Sequence, residues 1–115
     1  MGRTYVDSHG RDFDVNFAGA AVLGKFHEKA GVGLYEKDSP FASDWPPSTK
    51  FSMSAEETLA CADALDRIDK QEFFEDLQTN FPGYLDSTET LEEFSGWLQE
   101  WVDWLRNSGG YKVDG

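Results

Sequence analysis

The chain has 115 residues, with 22 Asp+Glu against 10 Lys+Arg, a formal charge of −12 and one cysteine. Its length fits a single domain over residues 1–115, and Cys61 alone excludes a disulfide framework and any multi-cysteine zinc or iron–sulfur site. Hydrophobic residues make up 39% of the chain and aromatics 15%, enough apolar material for a core, so the acidity does not force disorder.

The charge is unevenly placed. Residues 1–53 and 109–115 together carry eight acids and seven bases, a net of −1, whereas residues 54–108 carry fourteen acids and three bases (Arg67, Lys70, Arg106), a net of −11. The longest apolar stretch falls far short of the roughly 18 residues of a spanning helix. Met1-Gly2-Arg3-Thr4-Tyr5 lacks the hydrophobic region of a signal peptide. The expectation is an intracellular, cytoplasmic protein.

In chain order, Thr4 to Val6 is a weak strand candidate, and Phe13, Val15 and Phe17 alternate with Asp14 and Asn16 at the two-residue period of a half-buried strand. Ala18 to Ala30 places Val22, Leu23, Phe26 and Ala30 on one side of a helix, despite the weakening Gly19 and Gly24. Gly33 to Glu36 and Lys50 to Met53 are further weak strands. Residues 37–49, with Ser39-Pro40 and Trp45-Pro46-Pro47, read as a loop.

Helical signals dominate the rest. Ser54-Ala55-Glu56-Glu57 fits a capping box, and Leu59, Ala62, Leu65 and Ile68 recur at helical spacing, predicting a helix from about Ala55 to Asp69. Lys70 to Thr79 continues with Phe73, Phe74 and Leu77 as a second helix or a bent extension, stopped by Pro82-Gly83. Thr90-Leu91-Glu92-Glu93 offers another capping box, with a competing start at Asp86 to Glu89. Leu91, Phe94, Leu98, Trp101 and Leu105 follow as one stripe, ending where Ser108-Gly109-Gly110 predicts a left-handed cap. Tyr111-Lys112-Val113 suits a closing edge strand. The fold class is α+β: a small antiparallel sheet from the N-terminal half, packed with three or four helices, and an acidic helical C-terminal half.

Few residues suggest chemistry. Asp12, Asp14 and Asn16 alternate as in a calcium loop, but Phe17 occupies the sharp-turn glycine position and Leu23 the closing glutamate position. His27-Glu28 lacks a second histidine four residues on, so no zinc pair forms, and His9 and His27 read as surface groups. Cys61, among small residues and acids, reads as a buried inert thiol. Gly31-Val32-Gly33 lacks the lysine and third glycine of a phosphate loop. No cofactor, no metal and no enzymatic activity are expected.

Two features point to a partner. Asp63, Asp66, Asp69, Glu72, Glu75 and Asp76 form a nearly continuous acidic ladder, offset only by Arg67 and Lys70. Trp97 and Trp104 widen the apolar arc of the last helix beyond its core stripe, either to fill space against the sheet or to leave one of the two partly exposed as an anchor for a partner, and Trp45 in its proline loop offers a third anchor or a lid on the core. The acidic field disfavours direct binding to nucleic acid or anionic membrane and favours a basic protein. The leading expectation is a protein-binding inhibitor that blocks a basic partner in competition with phosphate, by analogy of size and charge with immunity proteins and phage anti-defence proteins. The alternatives are a small-molecule site or enzyme with an aromatic pocket near Trp45, and an assembly protein that oligomerises through the tryptophan helix.

Overall fold

Residues 3–34, 49–86 and 88–114 are described by the computed structural model. Strands β1 (Arg3–Asp7) and β2 (Asp12–Val15) form an antiparallel hairpin with Tyr5 opposite Phe13 and Arg3 opposite Val15. Gly10 turns the chain with φ 80°, a left-handed value that suits glycine. Asp7 fixes the turn from inside, accepting the backbone N–H of His9 at 2.9 Å, that of Arg11 at 2.8 Å and the Arg11 Nε at 2.8 Å. Burial alone raises a carboxyl; these donors outweigh it and hold Asp7 below its ordinary value.

Helix α1 (Phe17–Ala30) starts on Asn16, whose side chain accepts from Gly19 N at 2.7 Å, and ends on Gly31 at φ 72°. The strand expected to run to Phe17 therefore stops at Val15. Phe17 is instead the first helical residue, 54% exposed, because the Asn16 cap diverts the backbone there. Of the weak strand at 33–36, only Gly33 and Leu34 are described. Leu34 bridges Thr49, and Tyr35, Glu36 and the loop to Ser48, with Trp45, lie outside the described residues.

Strand β3 (Ser52–Ser54) leads directly into α2 (Ala55–Asp66) through the expected capping box: Ser54 Oγ accepts from Glu57 N and Glu57 Oε1 accepts from Ser54 N, each at 3.2 Å. The buried face of α2 is Thr58, Cys61, Ala62 and Leu65, whereas Leu59 is 47% exposed. Of the expected stripe, Ala62 and Leu65 are buried and Ile68 packs against the core, and only Leu59 is displaced, by Thr58 and Cys61. Thr58 turns inward because its hydroxyl donates to Ala55 O at 2.9 Å, which removes the cost of burying it.

Helix α3 (Lys70–Asn80) is separate from α2. Asp69 caps it by accepting from Gln71 N and Glu72 N at 3.0 and 3.1 Å. A 3-10 turn at Pro82–Tyr84 follows. Helix α4 (Leu91–Ser108) then starts on Thr90 and ends on Gly109 at φ 68°. Strand β4 (Gly110–Val113) pairs on both sides, Tyr111 lying opposite Asp7 of β1 and Met53 of β3, so the antiparallel sheet runs β2-β1-β4-β3.

The expected edge strand is thus central, and the sheet joins the two ends of the chain. Gly110 lets this happen: at φ 104° its missing Cβ would meet Met53 O at 2.8 Å. One sheet face, carrying Tyr5, Phe13, Val15, Met53 and Tyr111, meets the helices. Trp101 is fully buried at the centre, 4.7 Å from the Tyr5 ring and 5.1 Å from that of Phe13. Phe26, Phe73, Phe74 and Phe94 extend the core between the helices.

Candidate functional site

The acidic residues singled out from the sequence sit on the outside of α2 and α3, all six of them exposed. They are not one ladder of free charges. Asp63 and Asp66 each lie 2.6 Å from the Arg106 guanidinium, tying α2 to α4. Asp69 is the α3 cap, and Glu72 lies 3.7 Å from Lys29 of α1. Among the described residues Glu75 and Asp76 bond neutral amides of their own helix, Gln71 at 3.3 Å and Asn80 at 2.7 Å. On α4, Asp103 likewise accepts from Gln99 at 3.0 Å. Among the described residues Glu56, Glu75, Asp76, Glu92, Glu93, Glu100 and Asp103 pair with no cation.

The tryptophans divide differently. Trp97 and Trp104 are both half-buried against the core. Trp104 stacks on Trp101 at 5.5 Å, and its Nε1 is buried without a hydrogen-bond partner among the described residues. Trp97 lies 6.5 Å from the Phe13 ring and faces the start of α1, where a Cβ on Gly19 would meet its Cζ2 at 3.4 Å. The third expected anchor, Trp45, is outside the described residues.

Trp97 belongs to a cleft of about 460 Å³ between the β2–α1 junction, the turn after α3 and the first turns of α4. Tyr84 and Phe94 share its wall with Trp97, and Asp86 and Glu89 lie at it too, as does Asp14, whose carboxylate accepts from the Thr4 hydroxyl on the outer sheet face. Among the described residues, no lysine, arginine or histidine lines it. Asp86 is held below its ordinary value, chiefly by the backbone N–H and then the hydroxyl of Thr88. Of these residues, sequence reasoning had put forward only Trp97 for a partner; Asp14 was weighed only in the failed calcium loop and Phe94 only as core, and the fold brings their segments together.

A second polar group lies inside the core and corrects the sequence reading. His27 is completely buried, not a surface group. Trp101 Nε1 donates to His27 Nε2 at 3.0 Å, so the neutral ring carries its proton on Nδ1, which faces Val32 O at 3.2 Å and Cys61 Sγ at 3.4 Å. Burial pushes His27 down to about 4, against the raising effect of the Val32 carbonyl. Burial first, and Glu57 second, pushes the Cys61 thiol up to about 12. Gly33 packs over both: its missing Cβ would lie 2.7 Å from His27 Nδ1 and 3.1 Å from Cys61 Sγ. A closed, neutral pair of this kind ties α1, α2 and α4 together and has neither the charge nor the access of a nucleophilic site. His27 had a signal in the sequence: it follows Leu23 by four residues and precedes Ala30 by three, on one helical side.

Among the described residues no three His, Cys, Asp or Glu side chains are grouped to hold a metal ion, and no helix is long and apolar enough to cross a membrane. The chain matches no known family model, no curated protein and no solved structure.

Proposed function

We propose that the protein is a protein-binding inhibitor, which lays the acidic outer surface of its helices on a basic partner and blocks a surface that otherwise meets phosphate. The observation that carries this reading is the placement of the fourteen carboxylates of residues 54–108, all exposed except the half-buried Glu89. Of the three cations in the same stretch, Arg106 is already taken by Asp63 and Asp66. A net charge of −12 exceeds the magnitude of about 2 to 8 that solubility asks of a small domain. Its self-repulsion disfavours the compact state. A cationic partner relieves that repulsion, and the field speeds and orients the encounter.

The test starts with capture of binding proteins from lysate and is decided with purified components. Association of the captured protein is followed in low and high salt, for wild type and for a Glu56→Gln, Glu75→Gln, Asp76→Asn, Glu100→Gln variant. These four carboxylates hold no cation among the described residues, so circular dichroism should show an unchanged protein. The reading expects a basic partner, an association rate that falls steeply with salt, a slower and flatter response for the variant, and displacement by a DNA fragment. A rate indifferent to both salt and the variant would overturn it.

A further inference from the structure

We infer, building on the protein-binding reading, that the cleft beside Trp97 receives one arginine side chain of the basic partner. Its walls and its rim ask for different things, and one chemical group supplies both. Trp97 and Tyr84 offer aromatic surface, while Asp86 and Glu89 carry two negative charges, with no cation among the described residues that line the space. An anion is repelled there. A neutral apolar ligand would strip water from carboxylates and return nothing. A guanidinium is planar and weakly hydrated, stacks on aromatic rings and forks onto carboxylate oxygens, which an ammonium does less well.

The carboxylates are available for it. Asp86 Oδ1 serves Thr88, which leaves Oδ2, and neither Asp86 nor Glu89 pairs with a cation among the described residues. The α1 N-terminus at the cleft opposes a cation with roughly half a positive charge, a fraction of what the two carboxylates supply. The fold already uses the same chemistry next door: Lys25 Nζ sits 4.1 Å over the Phe81 ring, and Phe81 stacks on Tyr84 at 5.5 Å with 2° between the planes. A volume of about 460 Å³ lies toward the small end of ligand pockets, right for one long side chain and its adjoining backbone.

The test needs no partner. The full ¹⁵N-labelled chain is titrated with the peptide acetyl-Gly-Arg-Gly-amide, with its lysine counterpart, and with its citrulline counterpart, which keeps the shape and loses the charge. The arginine peptide should give saturable shifts at the Trp97 indole N–H and the Gly19 and Glu89 amides. The lysine peptide should bind more weakly and the citrulline peptide should give no saturation. Glu89→Gln, at a half-buried rim position, should weaken the arginine peptide roughly threefold while leaving the rest of the spectrum in place. Absence of saturation with tens of millimolar arginine peptide, or equal binding of the citrulline peptide, would overturn the inference. A silent cleft alongside salt-dependent partner association would sink this inference alone, whereas an arginine-binding cleft with no such association would sink the inhibitor reading alone.

Discussion

Mild acid should destabilise this protein before its carboxylates respond, and the amount follows from one side chain. His27 is completely buried and held neutral near pH 7, with Nε2 accepting from Trp101 and Nδ1 facing Val32 O. A second ring proton would set an N–H against the Trp101 N–H. The folded value of about 4 lies below the ordinary 6.5, so between these two values the unfolded chain binds more protons. Stability is therefore complete above about pH 6.5 and is lost as pH falls toward 4. The full gap is worth about 3 kcal/mol, of which about 2 kcal/mol is lost between pH 7 and pH 5. The depressed carboxyls Asp7, Glu57 and Asp86 have the same sign, but their stabilisation disappears only as pH falls below their ordinary values, near 4. Urea unfolding followed by tryptophan fluorescence should show a midpoint about 1 M lower at pH 5 than at pH 7, taking the usual urea slopes. In His27→Gln the amide oxygen accepts from Trp101 and no proton is taken up, so most of that difference should vanish. Equal midpoints at the two pH values, or the same difference in His27→Gln, would refute the assignment.

The neighbours of His27 make further expectations. Gly33→Ala places a methyl 2.5 Å from Met53 Cε and 2.7 Å from His27 Nδ1 at φ 68°, and should cost about 2 kcal/mol or more by urea denaturation. Trp101→Phe opens space at the centre and leaves His27 Nε2 without its donor, for a loss of about 3 kcal/mol. Trp104→Phe removes an N–H with no partner among the described residues and should cost less than about 1.5 kcal/mol, so comparing the two melts separates a bonded indole from an unbonded one. Cys61, 2% exposed, should react with a disulfide reagent at pH 8 only as fast as the fold opens, and at once in guanidinium. Arg106→Gln should lower the melting temperature in low salt, with the difference from wild type closing in high salt.

What could be read from the sequence follows the range of the interactions involved. The caps were legible because they are local: Ser54 with Glu57, Thr90 with Glu93, and Gly109 after Ser108 each act within a few residues. The α4 stripe of Phe94, Leu98, Trp101 and Leu105 was legible for the same reason, since helical spacing alone puts these side chains on one face. The position of β4 was not. Tyr111 and its neighbours alternate in the same way at an edge or in the centre, and only pairing with β1, more than a hundred residues earlier, decides. His27 was misread because its partner, Trp101, lies 74 residues away, so its helical side was visible and the reason for burying it was not. The cleft was hidden for a related reason: Asp14 and Trp97 belong to opposite halves of the chain.

The acidic residues carry the same lesson into the design of a functional test. A sequence shows 22 carboxyl groups as equivalent, and neutralising Asp63, Asp66 and Asp69 looks like the natural way to weaken an acidic surface. In the fold those three are structural: the first two hold Arg106 between α2 and α4, and the third satisfies two backbone donors at the start of α3. Removing them would loosen the helices and leave backbone N–H groups without partners. Lost binding in that variant would not separate a missing charge from a displaced helix. Glu56, Glu75, Asp76 and Glu100 carry the same charge at exposed positions without holding another element in place. A change in partner association on neutralising them therefore reports on the surface field itself, and it is in these residues, rather than in the total charge, that the electrostatic part of the proposal stands or falls.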